Sequence, residues 1–283
     1  MSEMFDALKV TAVLAVLMYA SVSDVRTREV TDKCWWVLGI FGICCMSYSA
    51  LSEGMRWEYV MMIIGTAMIL LDILIDLTDN MEKMFHATIV LMFLMPLAFS
   101  SGDILVQQFF MIFAAFVIFL LLFLTGVIKG GADVKCLIVI SMIFFSYPSF
   151  FVFPLIASSG LFYETVFQFS LMTLLFAALF SLSVAFYVIS KNIGNGDPDV
   201  KKRYIGFRMS MDEARKSHVW PLQFVSDGNV ITTWKPQDPA VLDDLSSAGV
   251  EKVLVTPMVP FIVPITAAVI FLVLVGNPYF FIL

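Results

Sequence analysis

The chain has 283 residues, of which 60% are hydrophobic and 14% are charged, and its mean hydropathy is +0.92. Soluble domains carry about 25% charged residues. This composition excludes a soluble globular protein, since no soluble core could bury so much apolar surface, and it predicts an all-α polytopic membrane protein. The net charge of −6 adds little, because topology follows the placement of Lys and Arg.

Long apolar runs predict about eight membrane-spanning helices, each able to cross about 30 Å of hydrocarbon. In chain order they cover residues 6–24, 34–52, 58–77, 84–101, 104–128, 134–157, 163–190 and 253–282. The first run is expected to be a retained helix rather than a cleaved signal, because basic residues and further spans follow it. The last run contains Pro257, Pro260 and Pro264, which predict an irregular start or a kink.

The spans divide the chain into three parts. A membrane domain covers 1–190 with seven spans, and a final proline-marked transmembrane helix covers 253–283. Between them, 191–252 is the one sizeable polar segment, and it contains the basic run Lys201-Lys202-Arg203. We expect this segment to form a small cytoplasmic subdomain or a partly ordered loop before the last helix.

The basic residues orient the predicted spans. Fifteen lysines and arginines fall in the loops after odd-numbered spans, and only Lys9 and Arg56 fall on the other side. By the positive-inside rule, the N-terminus and C-terminus are expected outside the cell membrane and the odd loops in the cytoplasm.

Two aspartates stand at the cytoplasmic edge in this topology. Asp24 closes the first apolar run, and Asp133 opens the sixth, after Gly130-Gly131-Ala132. Four crossings separate them, so both return to the same side of the membrane. Carboxylates near hydrocarbon are costly unless they are partnered, which makes them functional candidates.

The chemistry of such a pair is that of an aspartic protease. One ionised carboxylate deprotonates a water molecule, and one protonated carboxyl donates to the substrate carbonyl oxygen. Each residue also has a structural interpretation. Asp133 is equally explained as a helix N-cap after a glycine break, and Asp24 as an interfacial residue paired with Arg26 or Arg28.

Two segments around these aspartates resemble one protein family. Asp24-Val25-Arg26-Thr27-Arg28-Glu29-Val30 is similar to the first active-site motif of archaeal preflagellin and prepilin peptidases, and Gly130-Gly131-Ala132-Asp133-Val134-Lys135 resembles their second motif, G-x-(G/A)-D-x-K. Val255-Thr256-Pro257-Met258-Val259-Pro260 also resembles the proline-marked start of their last helix.

The resemblance implies a membrane aspartic endopeptidase that removes short, basic class III signal peptides from prepilin or archaellin precursors. Asp24 and Asp133 would be catalytic, and Gly130, Gly131, Ala132, Lys135, Arg26 and Arg28 would support the motifs. It further implies no metal and no cofactor. The expected partners are the precursor and the lipid bilayer, with no nucleic acid.

Two departures from the family stand out. Archaeal members usually have about six spans rather than eight, and the extra pair lies within 58–101. Bacterial relatives also carry a cysteine-rich cytoplasmic region and methylate the new N-terminus. This chain has no such region, so we expect cleavage without methylation.

Asp72 and Asp76 are rival candidates, because a spacing of four residues places them on one face of a helix. That face suits an ion-coupled transporter, a structural polar stripe or a supporting element of the active site. A presenilin-like intramembrane protease is a second alternative, although the Tyr-Asp and Pro-Ala-Leu motifs of that class are missing from the sequence.

Overall fold

The computed structural model describes residues 2–75, 79–128, 130–156, 168–195, 206–226, 228–233 and 235–279. The chain is mostly helical (69%). It forms two compact units: unit 1 comprises Met1–Ala178 and Pro260–Leu283, and unit 2 comprises Leu179–Val259. The prediction of a mainly helical chain is confirmed, but the all-α class is not, because unit 2 contains small β-sheets.

Within the described residues, six helices are long and apolar enough to cross a membrane. They are α1 (Ser2–Thr27), α2 (Lys33–Ser52), α3 (Trp57–Leu74), α4 (Asp79–Ser100), α5 (Ile104–Leu124) and α7 (Phe169–Asn195). The first five correspond to the first five predicted spans. The predicted count of eight spans is not confirmed, because the other two predicted segments take different forms.

The segment predicted as a span over 134–157 begins with a short helix, α6 (Gly131–Ile143). Thirteen helical residues extend only about 20 Å, which is less than the hydrocarbon thickness. The chain then continues in irregular structure, where Pro148 and Pro154 cannot donate helical hydrogen bonds. Every residue from Cys136 to Ile143 is buried, as expected for a helix that is apolar all round.

The predicted final span over 253–282 also divides in two. Lys252–Pro257 forms a strand, β5, and the helix α10 (Ile262–Leu274) begins only after Pro260. Alternating Val253 and Val255 are fully buried in the sheet of unit 2. Short β-branched apolar runs do not distinguish strand from helix, which explains why the sequence pattern misled here.

Small residues allow the helices of unit 1 to approach closely. A Cβ added at Gly42 of α2 would lie 2.9 Å from the Cβ of Met142 on α6. Only glycine therefore fits between these two helices. Close packing through small residues is how helices associate in lipid, where apolar burial gives no driving force between them.

Unit 2 shows that much of the polar segment 191–252 is folded. β1 (Phe207–Ser210) and β2 (Val219–Pro221) pair antiparallel with β5, in the order β1-β5-β2. A second sheet joins β3 (Gln223–Ser226) and β4 (Asn229–Thr232). Helices α8 (Met211–Lys216) and α9 (Val241–Ser247) complete the unit, and its apolar core includes Leu242 and Leu245.

Candidate active site

Asp24 lies in the last turn of α1, where it is half-buried and contacts the start of α10. Its Oδ2 atom accepts a hydrogen bond from the backbone N–H of Ile262 at 3.2 Å. Ile262 is the first residue of α10. The first amides of a helix lack intrahelical partners and carry partial positive charge, so α10 presents a free donor to the carboxylate.

Packing between α1 and α10 fixes this contact. One turn before Asp24, the hydroxyls of Ser21 and Thr266 are 2.8 Å apart. Thr266 and Ile265 are buried along the same helix. The prolines that the sequence placed before the last helix therefore mark the point where α10 begins, next to Asp24.

The turn after α1 brings a guanidinium close to Asp24. Arg28 has a φ of 59°, and its backbone N–H donates to the carbonyl of Asp24 at 3.1 Å. The charge of Arg28 acts on the Asp24 carboxylate. Its Nε and Nη1 atoms are buried and have no hydrogen-bond partner among the described residues. Arg26, by contrast, is exposed in the last turn of α1.

Asp133 lies in the first turn of α6, outside the six candidate spans, and its carboxyl folds back over Gly130. A Cβ on Gly130 would overlap the carboxyl of Asp133. Gly131 is exposed and a Cβ there would meet no atom within 4 Å, whereas Ala132 packs against the apolar core. The two glycines of the motif thus have different structural roles.

The two aspartates are close enough to interact electrostatically. Burial, together with the negative charge of Asp24, raises the pKa of Asp133 to about 7. No hydrogen-bond donor to Asp133 is found within the described part of the chain, while Asp24 has the Ile262 amide and Arg28. Burial and the charge of Asp24 therefore favour a proton on Asp133, whereas the Ile262 amide and Arg28 offset part of the cost of burying a charge on Asp24.

Lys135 connects the second motif to the turn that follows the first motif. Its Nζ atom lies 2.8 Å from Oδ1 of Asp32, the residue that precedes α2. The pair joins the start of α6 to the turn between α1 and α2. Lys135 therefore positions the motif around Asp133 against the loop that follows Asp24. The sequence offered no signal for Asp32, because its partner is 103 residues away.

Of the rival candidates, Asp72 lies in the last turn of α3. Helix α3 ends at Leu74, and Ile75 is extended (φ −126°, ψ 127°). Asp76 lies outside the described residues. Oδ2 of Asp72 is 3.1 Å from Nε2 of His86 on α4. The i, i+4 argument for an ion path stays a prediction, and His86 is a partner of Asp72 that the sequence reasoning missed.

No group of three or more His, Cys, Asp or Glu residues in the described ranges is arranged to hold a metal ion. No protein-family model matches the sequence, and a search of curated proteins gives no match. The site must therefore be interpreted from its own geometry and from the motif resemblance.

We predict that Gly130→Ala lowers peptidase activity on the order of 100-fold, because the new methyl group displaces the Asp133 carboxyl. The measurement is cleavage of a precursor with a basic leader by the purified protein. Gly102→Ala is the matched control, since a Cβ there meets no atom within 4 Å. Equal activity of the two variants would show that Gly130 does not position Asp133.

We also predict that Asp133→Asn stabilises the fold increasingly as the pH rises. The folded protein holds the Asp133 proton up to a pKa of about 7, whereas an unfolded aspartate releases it near pH 3.9. The stability due to that proton is therefore complete below about pH 4 and is lost as the pH rises through about 7. Asparagine has no proton to lose.

The measurement is the midpoint of thermal unfolding at pH 4.5 and pH 8. The variant should gain a few °C over the parent at pH 8 and much less at pH 4.5, on the order expected for one buried charge. Asp212→Asn, on the exposed surface of α8, serves as the control. If the unfolding midpoints of the variant and the parent differ by the same amount at both pH values, the raised pKa of Asp133 is contradicted.

Proposed function

We propose that the chain is a membrane aspartic endopeptidase that cuts short, basic leaders from class III precursors, as archaeal preflagellin and prepilin peptidases do. The observation that carries the proposal is the electrostatic coupling of Asp24 and Asp133. These are the two aspartates that stand in the motifs resembling that family. Neither residue is decisive alone, but two interacting carboxyls supply the chemistry of peptide hydrolysis.

The surroundings of the two residues support a division of roles. The Ile262 amide and Arg28 both favour the negative charge of Asp24. Asp24 is then the general base, and Asp133, with its pKa of about 7, is the general acid. This assignment gives each member of the pair a different task at neutral pH.

The reaction follows from these protonation states. Asp24 removes a proton from a water molecule as its oxygen attacks the scissile carbonyl carbon. Asp133 donates its proton to the carbonyl oxygen, so that the tetrahedral intermediate carries no net new charge. Collapse of the intermediate breaks the C–N bond: the proton held by Asp24 passes to the leaving nitrogen, and one hydroxyl proton of the intermediate returns to Asp133, which restores both groups. One peptide bond and one water become a carboxyl group and an amine.

The predicted topology bears on where the cut occurs. Five candidate spans, α1 to α5, precede Asp133. With the N-terminus outside, Asp24 and Asp133 would both lie at the cytoplasmic face. A basic leader is retained on that side, so the junction between leader and apolar helix would reach the pair. A cut deep within the substrate's apolar helix would instead favour a presenilin-like protease.

We predict that Asp24→Asn and Asp133→Asn each abolish cleavage. Residues that act as a unit are not additive, so the double variant should be no worse than either single variant. The assay is a gel shift in membranes that co-express a precursor with a lysine-rich leader, with the product N-terminus mapped by mass spectrometry. Asp212→Asn should cleave as the parent does. Normal cleavage by either catalytic variant would refute the proposal.

The dependence of kcat/KM on pH should be bell-shaped. Activity falls as the pH rises through about 7, because Asp133 then loses the proton it must donate. Activity also falls at acid pH, where Asp24 becomes protonated and cannot act as a base. Both limbs belong to the coupled pair rather than to one residue. An activity that keeps rising up to pH 9 would exclude a protonated Asp133 as the acid.

A further inference from the structure

Unit 1 contains a cavity of about 590 Å³ at the end of the helices where Asp133 lies. It is enclosed by the last turn of α3, the first turns of α4, the second half of α5 and the start of α6. Its walls include apolar side chains, among them Phe116, Leu120 and Ile138, and charged groups also line it.

The acidic groups in the cavity are Asp72 and Glu82. His86 approaches only Oδ2 of Asp72, and Glu82 is exposed and forms no ion pair within the described ranges. The one lysine that the structure describes in the lining, Lys135, has its charge engaged by Asp32. Apolar walls with carboxylates complement a side chain with a long methylene stem and a cationic end.

The cavity lies across α6 from Asp133. One face of α6 lines the cavity, and it consists of Gly131, Val134, Lys135 and Ile138. Asp133 is two residues from Gly131, so it points about 200° away around the helix. The cavity is therefore not part of the Asp24–Asp133 pair, and a peptide that contacts both must cross the N-terminus of α6.

The crossing point is open. Gly131 is exposed, with no atom within 4 Å of a Cβ built there. A helix with its side chains is about 10–12 Å wide, and an extended peptide advances about 3.3 Å per residue. An extended chain therefore covers the distance from Asp133 to the cavity in about three or four residues.

We propose that this cavity binds a lysine or arginine side chain of the leader, about three or four residues before the cleaved bond. The inference rests on the proposed function, because that function determines in which direction the peptide runs from the cleaved bond to the cavity. The methylene stem packs against Phe116 and Leu120, and the charged end pairs with Asp72 and Glu82. Helices α3 and α4 thereby contribute to substrate recognition and not to catalysis.

The test uses the purified full-length protein in lipid nanodiscs and three synthetic precursor peptides. The peptides differ only in having lysine, glutamine or glutamate four residues before the cut. The parent should show the lowest KM for the lysine peptide. Glu82→Gln and Asp72→Asn should each raise that KM about tenfold, the scale of one charge-assisted pair, with kcat unchanged. KM for the glutamine peptide should stay the same.

Matched variants separate charge from folding. Glu53→Gln, which neutralises an exposed carboxylate after α2, should leave all three KM values unchanged. Glu82→Lys should reverse the order, so that the glutamate peptide has the lower KM. Moving the lysine to ten residues before the cut should remove its advantage. An advantage that persists at that position, or equal KM values for all peptides, overturns the proposal.

Binding to the Asp133→Asn variant, measured by calorimetry, distinguishes the two levels of inference. A lysine preference that depends on Glu82, found without cleavage by the parent, supports the cavity and overturns the peptidase assignment. If the parent cleaves the peptides but shows no preference for the lysine peptide, the peptidase assignment stands and the proposal that the cavity binds a basic side chain is overturned. If no peptide is bound and none is cleaved, both the cavity proposal and the peptidase assignment are overturned.

Discussion

Two neighbouring carboxyls in an apolar helical unit cannot both be ionised without a large electrostatic cost. The two carboxyls differ in the groups that surround them. Asp24 receives the first amide of α10 and the charge of Arg28, whereas Asp133 is placed over Gly130 with no donor in the described part of the chain. The proposed chemistry places one proton on Asp133 and a negative charge on Asp24.

The helices of unit 1 hold this arrangement from two sides. α1 packs on α10 through Ser21 and Thr266, and α2 packs on α6 through Gly42. The ion pair between Lys135 and Asp32 then joins the two loops at the same end. α6 suits this role, because its buried segment from Cys136 to Ile143 holds the partly exposed first turn in place. The shortness that disqualifies α6 as a span is thus compatible with its role in the site.

Sequence patterns predicted α1 to α5 well, because long uncharged runs have few alternatives. They failed over 253–282, where Val253-Leu254-Val255 is as apolar as a helix but pairs as a strand. They also ended the third span too late, because α3 ends at Leu74 and Ile75 is extended. The motifs predicted Asp24 and Asp133 as a pair, and the two residues are close enough to interact electrostatically. The partners Ile262, Asp32 and His86 were not predicted, since a backbone amide has no sequence signal and distant ion pairs depend on the fold.

The hydrogen bond from Ile262 to Asp24 joins residues 238 positions apart. During translation, Asp24 is made with the first helix, but its donor emerges from the ribosome only after the chain up to α10 has been made. A nascent chain therefore holds Asp24 without this amide throughout most of its synthesis. The order of biosynthesis itself delays completion of the carboxyl pair until the C-terminal helix has docked.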